Sequence, residues 1–192
     1  MMNRDECFEI LKRHITDEVV VASYSGAVEW NDLNPRALNY FSIGAMGLGS
    51  SHGLGVALGR PDRRVVVLDG DGSLLMNLGS LVSIAAAAPK NLVHFVCHNE
   101  TYEANGGHPL PNPKTDFAGL ARSAGYKHVH DFAELKSFEQ QVGHVLTQEG
   151  PVFATLHVKK NRPLVYKYDD LYKASRRVAL KAALQGRPVT QS

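Results

Sequence analysis

The sequence VVVLDGDGSLLMN, residues 65–77, joins four apolar residues to a turn that contains two aspartates and two glycines. The apolar run has the composition of a strand that is buried on both faces. Leucines at helical spacing follow the turn, so a helix is predicted directly after the strand. Acidic side chains at the end of a buried strand are costly unless a cation lies beside them. The stretch therefore predicts an α/β fold with a cation-binding site at the edge of its sheet.

The composition is that of an ordinary globular chain. Its 192 residues are 44% apolar and 21% charged, with a formal net charge of +2. This length suits one domain, and the small net charge does not indicate an extended nucleic-acid interface. The two cysteines, Cys7 and Cys97, form no C-x-x-C pair, and no apolar run approaches the length of a membrane span. We therefore expect a single-domain protein of the reducing cytoplasm.

Apolar patterns before the opening stretch alternate between strands and helices. They predict a helix in residues 7–15, a strand in 18–23, a possible strand in 34–42 and a glycine-rich helix in 44–62. In the last of these, Met46, Leu54 and Leu58 keep helical spacing despite the cost of glycine in a helix.

The same alternation continues after the opening stretch. A single helix is predicted over 73–88, ended by Pro89, and its apolar face consists of Leu74, Leu78, Leu81, Val82 and Ala85. There follow a strand in 91–97, a polar loop over 100–115, helices in 116–126 and 132–148, and a strand in 152–158. This order predicts a mostly parallel sheet flanked by helices. We assign residues 1–158 to this domain and residues 159–192 to a basic, helical C-terminal tail.

Polar groups follow three of the predicted strands, where ligands of open α/β sheets bind. These groups are Ser25-Gly26, Asp69 to Ser73, and His98 to Thr101. Asp71 and Asn99 offer the hard oxygen ligands that magnesium prefers, and magnesium is commonly completed by water and substrate phosphates. Ser73 and the first amides of the following helix would face such an anion. The sequence thus predicts a magnesium–diphosphate site.

Three motifs together resemble the diphosphate-binding domain of the thiamine-diphosphate enzymes. GDGS at residues 70–73, with Asn99 after a further 25 residues, resembles the family's metal signature. GAMGLGSSHGLGVALG at residues 44–59 resembles its GSMG helix segment, and NGGHP at residues 105–109 resembles its GGQ-x-T loop. The resemblance runs from about residue 18 to residue 158 and implies thiamine diphosphate and Mg²⁺ as cofactors.

The resemblance also implies roles for individual residues. Asp71 and Asn99 would be side-chain ligands of the metal, with the Thr101 carbonyl as the third protein ligand. Met46 falls where the family places an apolar wedge that bends the cofactor. The residues that would hold the cofactor are Gly26, Gly44, Met46, Gly70, Asp71, Gly72, Ser73, Asn99 and Thr101. An ordinary core methionine is the alternative for Met46.

The polar loop departs from the family pattern. His98 stands where the family often has Asn or Asp, and His108 replaces the usual glutamine. Tyr102, Asn105 and His108 are candidates for contacts near the substrate, and Met46, His108 and Tyr102 are the candidate catalytic residues. A merely solvated loop is the alternative.

The family pairs this domain with a pyrimidine-binding domain, for which 192 residues leave no room. The resemblance therefore implies a hetero-oligomer with several copies, in which a partner chain supplies the activating glutamate. Size and motifs are most similar to the β subunit of sulfopyruvate decarboxylase and the C-terminal domain of phosphonopyruvate decarboxylase. This similarity implies non-oxidative decarboxylation of a small 2-oxo acid to an aldehyde, without nucleic acid or membrane as partners. A subunit of an acetolactate-synthase-like carboligase and a non-catalytic scaffold subunit are the alternatives.

Two further clusters have simpler explanations than binding sites. His128 and His130 could share a strand face, as in some metal sites, but no third ligand lies near them in sequence. The basic segments KKNRP and KASRR suit solvated helix ends or contact with the partner chain, because no aromatic platform for nucleic acid accompanies them.

Overall fold

A computed structural model describes residues 1–161, 165–166 and 168–186 of the chain. Its main sheet has six strands in the order β2-β1-β3-β4-β8-β7, and every neighbouring pair is parallel. The predicted parallel α/β sheet is therefore confirmed. The strands are β1 (Val19–Ser23), β2 (Asn39–Ser42), β3 (Val65–Gly70), β4 (Leu92–His98), β7 (His128–Phe132) and β8 (Val152–His157), and a small hairpin pairs β5 (Thr101–Tyr102) with β6 (His108–Pro109).

Helices cover both faces of the sheet. They are α1 (Arg4–Lys12), α2 (Tyr24–Leu33), α3 (Gly49–Gly59), α4 (Asp71–Leu75), α5 (Gly79–Ala87), α6 (Phe117–Ala124), α7 (Leu135–Thr147), α8 (Tyr168–Tyr172) and α9 (Ala174–Gln185). Side chains alternate along the central strands, so Val66 packs into one apolar core and Val67 into the other. Burial on both faces explains why these strands are continuous apolar runs.

The prediction of a single helix over residues 73–88 is wrong. The chain forms α4 and α5 with a turn between them. In this turn Asn77 Nδ2 donates to the carbonyl of Gly47 at 3.1 Å, a tertiary contact that an unbroken helix would displace. Val82, which was expected on the apolar face, is 61% exposed, and Ile84 is buried instead.

The glycine-rich helix also begins later than its sequence pattern predicts. Helix α3 starts at Gly49, so Met46 lies in the preceding turn and does not share a helix with Leu54 and Leu58. Gly47 adopts a φ of +93°, a left-handed conformation that glycine accepts without the strain of other residues. The turn places Met46 outside the helix, beside the end of β3.

The C-terminal tail packs against the edge of the sheet that β2 forms. Helix α9 contacts β2, the Arg176 guanidinium lies 5.2 Å from the centroid of the Phe41 ring, and Leu180 is buried. The expectation of a helical tail also covered residues 162–164, 167 and 187–192, which lie outside the described residues. The boundary between residues 158 and 159 stays a prediction. In the described ranges, every helix is too short or too polar to cross a membrane.

Candidate functional site

A cleft opens where β1, β3 and β4 end, and we call it the strand-end cleft. The space between its walls is about 430 Å³, a figure that includes open solvent. Nine of the predicted site residues line it: Gly26, Met46, Gly70, Asp71, Gly72, Ser73, Asn99, Thr101 and Tyr102. Residues that the sequence analysis did not select also line it, among them Arg4, Tyr24, Cys97 and Glu103. The parallel sheet thus brings the separated motifs together at one edge.

The two aspartates of the opening turn have different neighbours. Asp69 Oδ2 lies 3.5 Å from Nε2 of the fully buried His94, and Asp69 Oδ1 accepts from the amide of Gly70 at 3.0 Å. Asp71 instead lies at the start of α4 and is held by backbone amides. The turn therefore directs one acid to a buried imidazole and the other to the neighbouring strand end.

Asp71 connects the ends of β3 and β4. Its Oδ1 accepts from Gly72 N at 2.7 Å, and its Oδ2 accepts from Asn99 N at 2.9 Å and from Glu100 N at 2.7 Å. Glu100 has a φ of +65°, a strained conformation that directs its amide at the carboxylate. This network orients Asp71 and Asn99 within one site.

The surroundings of Asp71 favour its protonated, neutral form more than water does. Burial raises the pKa of Asp71 to about 7, although the three amide hydrogen bonds act in the opposite direction, and the charge of Glu103 adds to the rise. A cation bound beside this carboxyl group would reverse the balance, because it would stabilise the ionised form.

Both polar atoms of the Asn99 side-chain amide form hydrogen bonds. Its Oδ1 accepts from the amide of Thr101 at 3.0 Å and from Thr101 Oγ1 at 3.1 Å. Its Nδ2 donates to Glu103 Oε2 at 2.9 Å. The carbonyl oxygen of the side chain therefore lies on the side of Thr101, the residue whose own carbonyl is expected to join it as a ligand.

The ionisable side chains of the cleft have an excess of negative charge. Three carboxyl groups (Asp69, Asp71 and Glu103) and one guanidinium (Arg4) line it, so the acids outnumber the base even when Asp71 is neutral. Arg4 already binds two carboxylates, Glu29 and Glu103, so its charge is not free to offset the others. Among the described residues no three His, Cys, Asp or Glu side chains form a metal cluster. A carboxylate with amide and carbonyl oxygens is instead the donor set that suits Mg²⁺.

Two contacts connect the loops around the cleft. The Gly47 amide donates to Ser73 Oγ at 3.2 Å, which joins the Met46 turn to the start of α4. The ring of Tyr102 packs on Gly72, where a Cβ atom would lie 2.6 Å from Tyr102 Cδ1. Gly72, the second glycine of the GDG motif, therefore leaves space for the ring of Tyr102.

Gly72→Ala is therefore expected to displace Tyr102 and loosen the loop that carries Asn99. We expect cofactor affinity to fall at least tenfold while the thermal midpoint changes by only a few degrees, because the clashing partner, Tyr102, is only partly buried and can move. Calorimetric titration and a thermal melt of the same sample measure both. Gly55→Ala is the matched control, because a Cβ atom at Gly55 meets nothing within 4 Å. Unchanged affinity in Gly72→Ala would contradict the assignment.

Three predicted residues, Gly44, Asn105 and His108, lie outside the cleft lining. Gly44 adopts a φ of +95°, and the hydroxyl of Tyr172 occupies the place of its missing side chain. His108 is exposed in the hairpin, opposite Tyr102. Their predicted roles in cofactor and substrate binding stay predictions. A further contact from the tail joins Tyr166 to Ser25, whose hydroxyl groups are 2.6 Å apart.

Two further histidines considered in the sequence analysis, His98 and His130, have hydrogen-bond and ring contacts. His98 Nε2 donates to the carbonyl of Pro113 at 2.9 Å, and its ring packs edge-on against Phe117. His130 Nε2 lies 2.6 Å from Gln148 Oε1, and its ring stacks on Phe132. These contacts explain His98 and His130 without a metal.

Known proteins resemble this chain over most of its length. The family model for the C-terminal TPP-binding domain of thiamine pyrophosphate enzymes matches residues 20–156. The β subunit of sulfopyruvate decarboxylase from Methanothermobacter thermautotrophicus is 38% identical over 160 residues, which are 83% of each chain. Phosphonopyruvate decarboxylase from Streptomyces viridochromogenes is 36% identical over 158 residues, which are 81% of this chain and 40% of that protein.

Solved structures agree on the fold. Benzoylformate decarboxylase from Polynucleobacter necessarius aligns with a TM-score of 0.72 over 83% of this chain and 34% of its own, at 21% sequence identity. At this identity the likeness concerns the fold alone, and it supports the assignment of the parallel sheet and its edge.

Proposed function

The chain belongs to the thiamine pyrophosphate enzyme family, and on this basis we propose that it is the cofactor-binding subunit of a two-chain 2-oxo-acid decarboxylase. The observation that carries the proposal is the meeting of Asp71 and Asn99 in a cleft with excess negative charge. The similarity to a sulfopyruvate decarboxylase β subunit over 83% of both chains supports the reaction type.

The proposed substrate class is a small 2-oxo acid with an anionic tail. One relative is named for sulfopyruvate and another for phosphonopyruvate, and both substrates would be 2-oxo acids with a second acidic group. The products would be carbon dioxide and an aldehyde. The chain spans 40% of the phosphonopyruvate decarboxylase, and the sulfopyruvate decarboxylase relative is named a β subunit, which supports a second chain in the proposed enzyme.

Mg²⁺ and thiamine diphosphate would bind in the strand-end cleft. We assign Asp71, Asn99 and the Thr101 carbonyl to the metal, and Gly26, Gly70, Gly72 and Ser73 to the diphosphate, with Gly44 close by. When bound, thiamine diphosphate supplies a nucleophilic carbon and an electron sink for the loss of carbon dioxide. The chain's own contribution would be to bind and orient: Asp71 would offer charge to the metal, and Met46 would offer an apolar surface to the cofactor.

A partner chain is expected to cover the cleft and to supply a glutamate to the cofactor ring. Apolar side chains beside the Met46 turn support such an interface, because Leu48 is 37% exposed and Met76 is 60% exposed. Tyr102, Asn105 and His108 are proposed to face the substrate from the loop on this chain.

The two alternatives are less well supported. A carboligase would use the same cofactor subunit, but the relatives that match most of this chain are decarboxylases. A non-catalytic scaffold would not need a strained Glu100 amide aimed at a buried carboxylate. Product analysis separates the first two functions, because a carboligase joins two carbonyl compounds.

Calorimetric titration of thiamine diphosphate tests the proposal, on the chain alone and on the chain co-purified with a candidate pyrimidine-binding subunit. We expect binding that requires Mg²⁺, is lost with a chelator and is tighter in the complex. The complex should then release carbon dioxide from sulfopyruvate or phosphonopyruvate. Absence of cofactor binding in both samples would overturn the proposal and favour a scaffold.

A further inference from the structure

Arg4 is a buried cation at the first position of α1, with 3% of its surface exposed. Its Nε and Nη2 atoms donate to the two carboxylate oxygens of Glu29, at 2.6 and 2.9 Å. Its Nη1 and Nη2 atoms donate to the two oxygens of Glu103, at 2.6 and 3.2 Å. One guanidinium therefore binds two carboxylates in a fork geometry that lysine cannot reproduce.

The charge of Arg4 is permanent in this setting. Burial by itself would lower the pKa of Arg4, but the hydrogen bonds to Glu29 and Glu103 and the charge of Glu29 outweigh burial and raise the pKa above its usual value. Asn161 Nδ2 also donates to Glu29 Oε1 at 2.6 Å, which completes the far side of the network. The network holds Glu103 in one position.

Glu103 in turn determines how the Asn99 amide faces. A carboxylate only accepts hydrogen bonds, so the group 2.9 Å from Glu103 Oε2 must be the amide nitrogen of Asn99. The amide oxygen is then turned to the opposite side, where Thr101 donates to it. A rotated amide would bring its oxygen against the carboxylate and its nitrogen towards the metal, where it could not act as a ligand.

We infer that Glu103, held by Arg4, is a positioning residue that presents the Asn99 side-chain oxygen to the metal. The inference rests on the proposed function and adds residues to it that no motif contains. Neither Arg4 nor Glu103 needs to touch the metal for this role. Such supporting contacts to metal ligands typically change metal affinity by about 10- to 100-fold.

The test measures the Mg²⁺ dissociation constant by calorimetry at saturating thiamine diphosphate, in the complex if the chain alone does not bind. Glu103→Gln is expected to raise this constant about 10- to 100-fold, because glutamine can offer its own amide nitrogen to Asn99. Arg4→Lys, which keeps the charge without the fork, is expected to raise it several-fold and serves as a second variant. Arg13→Lys is the matched control, because Arg13 follows α1 and forms an exposed pair with Glu139.

A double variant separates positioning from a structural role. Glu103→Gln with Asn99→Asp exchanges donor and acceptor, keeps an oxygen ligand at residue 99 and leaves the net charge unchanged. It should recover most of the affinity that Glu103→Gln loses. A carboxylate at residue 99 also strengthens Mg²⁺ binding through its charge, and Asn99→Asp alone measures that effect. A purely structural role for the Arg4–Glu103 pair predicts that the double variant binds no better than the effects of the two single variants combined.

Each outcome decides the inference. Weakened binding in Glu103→Gln, with recovery in the double variant beyond the combined effects of the single variants, supports it. Affinity within twofold of the wild type in Glu103→Gln, or loss without such recovery, overturns it and leaves the proposed function intact. No magnesium-dependent binding in the wild-type chain or complex overturns both.

Discussion

Replacing Asp71 with asparagine is expected to abolish magnesium-dependent cofactor binding and to stabilise the free chain at alkaline pH. Binding should fail because asparagine lacks the charge that offsets the desolvation of Mg²⁺. Stability should rise because the pKa of Asp71 is about 7 in the folded chain against an ordinary value of 3.8, so the ionised acid destabilises the empty site above neutral pH. At ~1.4 kcal/mol for each pKa unit, the full penalty is about 4 kcal/mol.

The measured gain should be smaller, since asparagine cannot accept all three amide hydrogen bonds that Asp71 accepts. We expect about 2 kcal/mol at pH 8.5 in urea unfolding without metal, and little gain at pH 5, where Asp71 is already neutral. Asp131→Asn is the control, because Asp131 also lies near the carboxyl end of a strand but pairs with His157. Normal cofactor affinity in Asp71→Asn would refute the ligand assignment.

Affinity for Mg²⁺ with thiamine diphosphate is expected to fall about tenfold for each pH unit below about 7. The metal and a proton compete for the Asp71 carboxylate, and the raised pKa of about 7 means that the proton occupies it through the weakly acidic range. Above pH 7, where Asp71 is ionised, its titration should cause little further change in the affinity for Mg²⁺. Calorimetry in buffers of different ionisation enthalpy should show about one proton released at pH 6 and almost none at pH 8.

The raised pKa of Asp71 makes the folding stability of the metal-free chain fall as pH rises, whereas metal affinity rises with pH. The folded state binds a proton on Asp71 more tightly than the unfolded state, so the stability that this group contributes is complete below pH 3.8 and is lost as pH rises to about 7. Titration of metal into cofactor without protein corrects for protons that the cofactor itself releases. Binding that is independent of pH between 5 and 8 would contradict both expectations.

Local sequence patterns were sufficient for five of the six strands of the main sheet and for the candidate metal ligands, whereas strand β7 (His128–Phe132) was not predicted. The strand ending at Gly70 and the strand ending at His98 are apolar runs that tertiary contacts do not override. Because parallel neighbours end at the same edge, Asp71 and Asn99 could be placed together from chain order alone. The family resemblance is confirmed, while the roles of individual residues stay predictions.

The remaining features depend on contacts between distant parts of the chain. The break between α4 and α5 follows from a contact of Asn77 with Gly47, 30 residues away. Arg4 and Glu103 are 99 residues apart, and no local pattern marks either of them. Helix α2 was missed because only Ser25, Ala27 and Trp30 of its ten residues are buried, which leaves little apolar periodicity.

The position of Arg4 has a consequence for where this domain can be cut. A fragment trimmed to the family-matched residues 20–156 would keep Glu29 and Glu103 and lose the guanidinium that both carboxylates share. Removing one partner of a buried ion pair typically costs about 3–5 kcal/mol, because the other charge is left without compensation. We therefore expect a fragment cut at the family-matched boundaries to be less stable than the whole chain.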